Sequence, residues 1–352
     1  MITLNTGREI ADYTNPYVIA ELGSNHNGDM ELAKKLILEA KNAGADCVKF
    51  QSWSKDSIFS KKTYEDNYFL KDDYRNRTDY TLEQIVEEFS ISEDELLQMK
   101  KYADEIGIDC ASTPFSRKEV DFLVKNIKPP FIKIASMDVN NYPFLEYVAQ
   151  QGLPVVISTG LSTLAEVDRA IRTIEATGNN KIIILHCISL YPPKDEEVNL
   201  NNIDTLRQLY PQYPIGFSDH TLGTTIPVAS TMKGVCIIEK HFTLDKSLFG
   251  WDHKVSATPE EMAVICTETK RIVKALGSTQ ITVPENEERK NAFRRSIVVS
   301  KDLPKGHKMT EADVDYKRPG SGIEPGEVKY VIGRTLTRDL KADEILAWSD
   351  FV

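Results

Sequence analysis

The sequence predicts a TIM-type (β/α)8 barrel followed by a small β-rich domain. Three observations carry this. Strand signals and amphipathic helix signals alternate from residue 17 to residue 276, polar residues gather where the strand signals end, and the texture changes after Leu276. Chemistry in such a barrel sits at the C-terminal ends of its strands, so the second observation also places a site.

The strand signals are apolar, β-branched runs at 17–23, 45–52, 109–115, 131–136, 154–159, 181–187, 214–220 and 235–242. Amphipathic stretches such as 30–43, 93–106, 164–177 and 259–276 lie between them. A doubly wound open sheet is the competing architecture. It is unusual at this strand count, and no Gly-x-Gly-x-x-Gly follows the first strand. Residues 53–90 break the rhythm as a long, charged, tyrosine-rich insertion after the second strand, which a barrel would place on its catalytic rim. The barrel is expected over 1–276. A polar linker containing Pro284 follows over 277–293. Residues 294–352 then form a domain of short strands at 296–300 and 315–318, with turn signals at Pro304-Lys305-Gly306, Pro319-Gly320-Ser321-Gly322 and Pro325-Gly326. So short a segment is expected to have little core of its own.

Composition narrows the class. The chain has 352 residues, 43 basic and 53 acidic, for a formal charge of 43 − 53 = −10. This excess of negative charge, without a Lys/Arg block, argues against a nucleic-acid binder. No apolar run approaches the ~18 residues of a membrane span, and the start lacks a signal-peptide pattern. Five cysteines, odd in number and with no Cys-x-x-Cys, read as reduced thiols of a cytoplasmic protein.

Almost every strand ends in a polar or ionisable group: Glu21 with Asn25 and His26; Lys49 and Gln51; Ser112 and Thr113; Lys133, Ser136 and Asp138; Ser158, Thr159 and Gly160. The last three strands give His186 with Ser189 and Tyr191, then Ser218, Asp219 and His220, then Glu239, Lys240 and His241. Singly, a lysine in a strand is usually snorkelling and a histidine a satisfied core group. Together they need partners or a charged ligand, because a buried unpaired charge costs several kcal/mol. His220 and His241 end adjacent strands, so their imidazoles suit a divalent cation such as Mn2+ or Zn2+, or else are two hydrogen-bonded rim groups. Lys49, Thr113, Lys133, Ser136, Ser158 and Ser218 suit one phosphate or carboxylate, although such hydroxyls also cap helices. A Schiff base on Lys49 or Lys133 is a rival reading.

Co-linear motifs covering nearly the whole chain resemble the sialic acid (nonulosonate) synthases. They are Val18-Ile-Ala-Glu-Leu-Gly-Ser-Asn-His-Asn-Gly28, Val48-Lys-Phe-Gln51, Ser112-Thr-Pro-Phe115 and Phe131-Ile-Lys-Ile-Ala-Ser136, followed by Ile157-Ser-Thr-Gly160, Gly216-Phe-Ser-Asp-His-Thr221, Ile238-Glu-Lys-His-Phe-Thr243 and Lys317-Arg-Pro-Gly320. The C-terminal segment resembles that family's antifreeze-like (SAF) domain. The resemblance implies condensation of phosphoenolpyruvate with an N-acetylmannosamine-type sugar in its open-chain aldehyde form, giving a nine-carbon 2-keto acid and phosphate by C–O cleavage. It implies a divalent metal on His220 and His241, Mn2+ first with Mg2+, Co2+ or Zn2+ as other options, and Glu21 as a carboxylate suited to proton transfer. Lys49, Thr113, Lys133, Ser136, Ser158, Ser189 and Ser218 would then grip phosphoenolpyruvate, and Gln51, Asp138, Tyr191 and Asp252 would line the sugar site. Arg318 would reach into a partner's barrel in a domain-exchanged homodimer. The chain departs from the family pattern at Met137-Asp138, where Gly-Glu is usual, at Ser189, and at Trp251, where proline is usual. These departures bear on the acceptor, so a 2,4-diacetamido-trideoxyhexose leading to a legionaminic-type acid stays open. A Schiff-base aldolase and a non-catalytic carbohydrate-binding protein are the other readings.

Overall fold

A computed structural model describes residues 1–67 and 81–352. It divides into two compact units, Met1–Gly277 and Ser278–Val352. In the first, eight parallel strands follow one another: β1 Tyr17–Gly23, β2 Cys47–Ser52, β3 Asp109–Pro114, β4 Ile132–Ile134, β5 Val155–Ser158, β6 Ile182–Cys187, β7 Ile215–Asp219 and β8 Ile237–His241. The hydrogen-bonded order is β3-β2-β1-β8-β7-β6-β5-β4, and β3 lies beside β4, so the sheet curls into a nearly closed barrel. β4 is shorter than the sequence signal because the chain turns into a 3-10 helix at Ser136–Asp138.

Alternation along each strand separates two layers. Outward residues such as Val18, Val48, Phe50, Ile134, Ile157, Ile184 and Ile238 pack under the helices in the main core. Inward residues Tyr17, Ile19, Cys47, Ala111, Val156, Ile183, Leu185 and Ile237 fill the lower barrel, together with Ile2, Leu4 and Ile10 of an N-terminal antiparallel hairpin. Further up the same inward columns the apolar residues give way to Glu21, Lys49, Gln51, Thr113, Lys133, Ser158, Ser218, Glu239 and His241. The bottom is thus a packed floor and the top a polar well. The helices are started by side-chain caps: Asp29 before Met30–Asn42, Ser92 before Glu93–Ile106, Thr163 before Leu164–Ala176 and Thr258 before Pro259–Leu276.

The insertion after β2 forms short helices Lys55–Ile58 and Lys61–Asp66, then Leu82–Phe89. Residues 68–80 of it lie outside the described residues. Trp53, Leu82, Ile85, Val86 and Phe89 make a separate apolar cluster against Phe115, Phe249 and Trp251. Gly28 is held at φ +74°, and a Cβ there would sit 2.1 Å from the Glu88 carbonyl oxygen, so only glycine lets this insertion dock.

The second unit adds one element and corrects one expectation. The linker stretch contains a helix, Glu287–Phe293, with Asn286 as its cap. The small domain has its own core, in which Ile297, Val299, Leu303, Met309, Ile323, Val331, Leu336, Leu340, Leu346 and Phe351 are all buried. Only Ser296–Val299 and Val314–Lys317 pair as strands; isolated bridges such as Leu303 to Leu340 and Leu336 to Phe351 bring in the rest, which is why no run of apolar residues announces it.

Candidate active site

The polar well is a cavity of about 340 Å3 lined by residues from every strand end. Lys49, Lys133, Glu21 and Glu239 are its buried charges. Lys49 Nζ is ion-paired with Glu21 Oε2, lies 3.7 Å from Glu239 Oε2 and donates to Thr113 Oγ1 at 2.9 Å. Lys133 Nζ donates to Ser158 Oγ at 2.7 Å and lies 3.7 Å from Glu239 Oε1. Ser218 Oγ donates to Glu239 at 2.9 Å. Glu239 therefore stands between the two ammonium groups.

These pairings set the protonation states. Burial pushes the Glu21 carboxyl up, reinforced by Glu239 and opposed by Lys49, to about 7. Burial also opposes charge on Glu239, yet the two lysines and the Ser218 hydroxyl hold it below its ordinary value. Desolvation lowers Lys133, whereas at Lys49 the two carboxylates outweigh burial and raise it. A carboxyl poised near neutrality beside the Lys49 ammonium group is equipped to hold or pass a proton.

Ser136 and Ser189 approach the well across Gly160. A Cβ on Gly160 would lie 2.2 Å from Ser189 Oγ and 2.6 Å from Ser136 Oγ, so the glycine leaves two hydroxyls converging over bare backbone. Ser136 Oγ also lies 3.7 Å from Cys187 Sγ, a thiol inside the cavity.

The two rim histidines meet. The His220 and His241 ring centroids are 5.4 Å apart, and the Tyr191 ring lies 4.1 Å from that of His220. His220 Nδ1 is 2.7 Å from the Ile188 carbonyl oxygen, which requires the proton there, so Nε2 is the nitrogen that gains or loses the second proton. Burial disfavours charge on His220, but the Cys187 thiol and that carbonyl outweigh it and raise it to about 9. Burial and the neighbouring His220 charge drive His241 well down. His241 Nδ1 is buried without a hydrogen bond and lies 3.7 Å from Asp252 Oδ2. Among the described residues no three or more His, Cys, Asp or Glu side chains are grouped to hold a metal ion; the unbonded Nδ1 of His241 is the donor that a cation on this rim would use.

Of the expected site residues, Glu21, Lys49, Gln51, Thr113, Lys133, Ser136, Ser158, Ser189, Tyr191, Ser218, His220 and His241 line this one cavity. Asp252 approaches it beside His241. Asp138 does not line it: the 3-10 turn carries it outside, where it accepts from Asn141 at 3.2 Å. Arg318 belongs to the second unit, its guanidinium over the Phe293 ring at 5.3 Å. His26 and His186, also at strand ends, are structural: His26 Nδ1 accepts from the Gly28 amide and His186 Nε2 lies 2.6 Å from the Val198 carbonyl. Glu239, Cys187 and Gly160 were seen as strand residues but given no role. Their signal is the two-residue alternation, since Glu239 and His241 share the inward face of β8.

The model of the NeuB family matches residues 36–281, and that of the SAF domain matches residues 294–352. The chain belongs to the NeuB family. An uncharacterized protein of Methanocaldococcus jannaschii is 41% identical, the match covering 96% of this chain and 94% of that one. The N,N'-diacetyllegionaminic acid synthase of Legionella pneumophila is 38% identical, covering 94% of this chain and 93% of the relative. Among solved structures, the N-acetylneuraminic acid synthetase of Leptospira borgpetersenii superposes with a TM-score of 0.69 at 34% identity, over 80% of this chain and 91% of the other. This NeuB-family protein is thus an enzyme, a synthase of the nonulosonate class. No helix among its described residues is long and apolar enough to cross a membrane.

Proposed function

We propose that the enzyme condenses phosphoenolpyruvate with an acetamido sugar in its open-chain aldehyde form, giving a nine-carbon 2-keto acid and inorganic phosphate. The observation that carries this reading is the convergence of Lys49, Lys133, the hydroxyls around Gly160 and the His220–His241 pair in one cavity. Two buried ammonium groups with directional hydroxyl donors suit a phosphate ester. C3 of phosphoenolpyruvate attacks the aldehyde carbon, water adds at C2, and the C2–O bond breaks to release phosphate. Lys49, Thr113, Lys133, Ser136, Ser158, Ser189 and Ser218 hold phosphoenolpyruvate, and Glu21 carries a proton between water, sugar oxygen and leaving group. His220 and His241 would hold a divalent metal, Mn2+ in the first instance, whose chemistry when bound is to polarise the aldehyde oxygen.

Gln51, Tyr191 and Asp252 receive the sugar. A 2,4-diacetamido-trideoxyhexose is favoured over N-acetylmannosamine by Phe115, which lines the cavity while packing with Trp53 and Trp251, and by the legionaminic acid synthase relative. Apolar wall suits a deoxygenated sugar. Arg318 contributes from a partner subunit of a domain-exchanged dimer, a reading supported by the exposed apolar rim of Met137, Leu161, Leu190 and Leu222. A cytoplasmic location is supported by the five free cysteines.

A phosphate-release assay with phosphoenolpyruvate, N-acetylmannosamine, its 6-phosphate and 2,4-diacetamido-2,4,6-trideoxymannose, with and without Mn2+, tests this. Release with the diacetamido sugar and Mn2+ is expected. No release with any sugar overturns the reaction, and borohydride trapping of pyruvate on Lys49 or Lys133 would replace it with an aldolase.

A further inference from the structure

A hydrogen-bonded chain runs from the insertion to the buried carboxyl of Glu21. The Trp53 indole N–H donates to Gln51 Oε1 at 3.0 Å, and Gln51 Nε2 donates to Glu21 Oε1 at 3.1 Å. Its direction is forced. An indole nitrogen only donates, so the oxygen of the Gln51 carboxamide must face Trp53 and its NH2 must face Glu21. Turned over, the amide would present oxygen to Glu21, and the carboxylate would lose a donor.

The space is tight. A Cβ on Gly23, held at φ +48°, would lie 3.1 Å from Glu21 Oε1 and 3.2 Å from Gln51 Nε2. Glu21 has its other oxygen ion-paired with Lys49, so the Gln51 amide orients the carboxyl from the opposite side. Trp53 is itself 3% exposed. Its ring lies 5.7 Å from that of Trp251 and packs with Leu82, Ile85 and Phe89. The insertion thus fixes the indole, and the indole fixes the amide.

Resting on the reaction proposed above, we propose that Trp53 is a positioning residue that acts on Glu21 only through the orientation of the Gln51 carboxamide. It touches no substrate atom in this role. Its contribution is the one N–H, while the rest of the ring serves packing.

The test is a double-mutant cycle in the full-length enzyme, read by steady-state phosphate release. Trp53→Phe keeps an aromatic ring and removes the donor. It should lower kcat about tenfold, the equivalent of one lost hydrogen bond, with the KM for phosphoenolpyruvate unchanged within about twofold. In a Gln51→Ala background the same substitution should change kcat by less than about twofold, because no amide is left to orient. An equal fall in both backgrounds overturns the proposal and makes Trp53 a packing residue only. A second measurement does not need Trp53→Phe to fold. The chain has three tryptophans, so indole-15N labelling gives three N–H signals. Gln51→Ala should shift one of them and speed its exchange with solvent; three unmoved signals overturn the proposal. If wild-type enzyme releases no phosphate, the reaction fails while the indole spectrum still decides the contact.

Discussion

Lys240 and Asp219 form a fully buried ion pair at 2.7 Å, each one residue from a rim histidine. Lys240 also donates to the Thr221 carbonyl, and Asp219 accepts from the Thr221 amide and hydroxyl. Both side chains point away from the barrel axis, so His220 and His241 point towards it. The pair clamps the ends of β7 and β8 in the register that brings the two imidazoles together.

Asp219→Ala should destabilise the barrel unit by about 3–5 kcal/mol in chemical denaturation, because it strands a buried ammonium group. Adding Lys240→Met should recover most of that loss. No recovery would show that the carboxylate's bonds to Thr221 matter more than the charge.

His220→Ala and His241→Ala should each reduce turnover to background while the far-ultraviolet circular dichroism stays unchanged. Each should also abolish the fall in free Mn2+ signal when protein is added to the ion. Metal-independent activity in both variants would remove the metal from the mechanism.

Gly160→Ala should raise the KM for phosphoenolpyruvate about tenfold or more, as its methyl displaces the hydroxyls of Ser136 and Ser189. The KM for the sugar should change much less. Equal effects on both would place the two hydroxyls elsewhere in the reaction.

His26 makes the fold acid-sensitive. Burial lowers its pKa to about 4, against attraction from Glu95 and Asp29. Above about pH 6.5 the ring is neutral in both folded and unfolded chains and stability is complete. As pH falls from there to about 4 the unfolded chain takes up the proton first, and roughly 3 kcal/mol is lost. His26→Gln should flatten that slope in urea unfolding measured between pH 4 and 7.

The barrel and most of its well were legible because strands alternate with a period of two. In β2 the pattern Cys47, Lys49, Gln51 faces inward and Val48, Phe50, Ser52 outward, which the sequence states outright. Glu239 was visible by the same rule, two residues before His241, but three consecutive polar residues at that strand end masked the alternation and it received no role. The 3-10 turn that takes Asp138 off the cavity wall was not legible, because the early end of β4 is not written in its apolar run. The contact of Trp53 with Trp251 joins two distant loops and has no local signal at all. The core of the second unit was hidden for a similar reason, being assembled from single bridges between turns.

Because that second unit closes around its own interior, the enzyme has two places where heat can begin to loosen it. A calorimetric scan should resolve two melting events, and substitutions such as Asp219→Ala should move most the one belonging to Met1–Gly277.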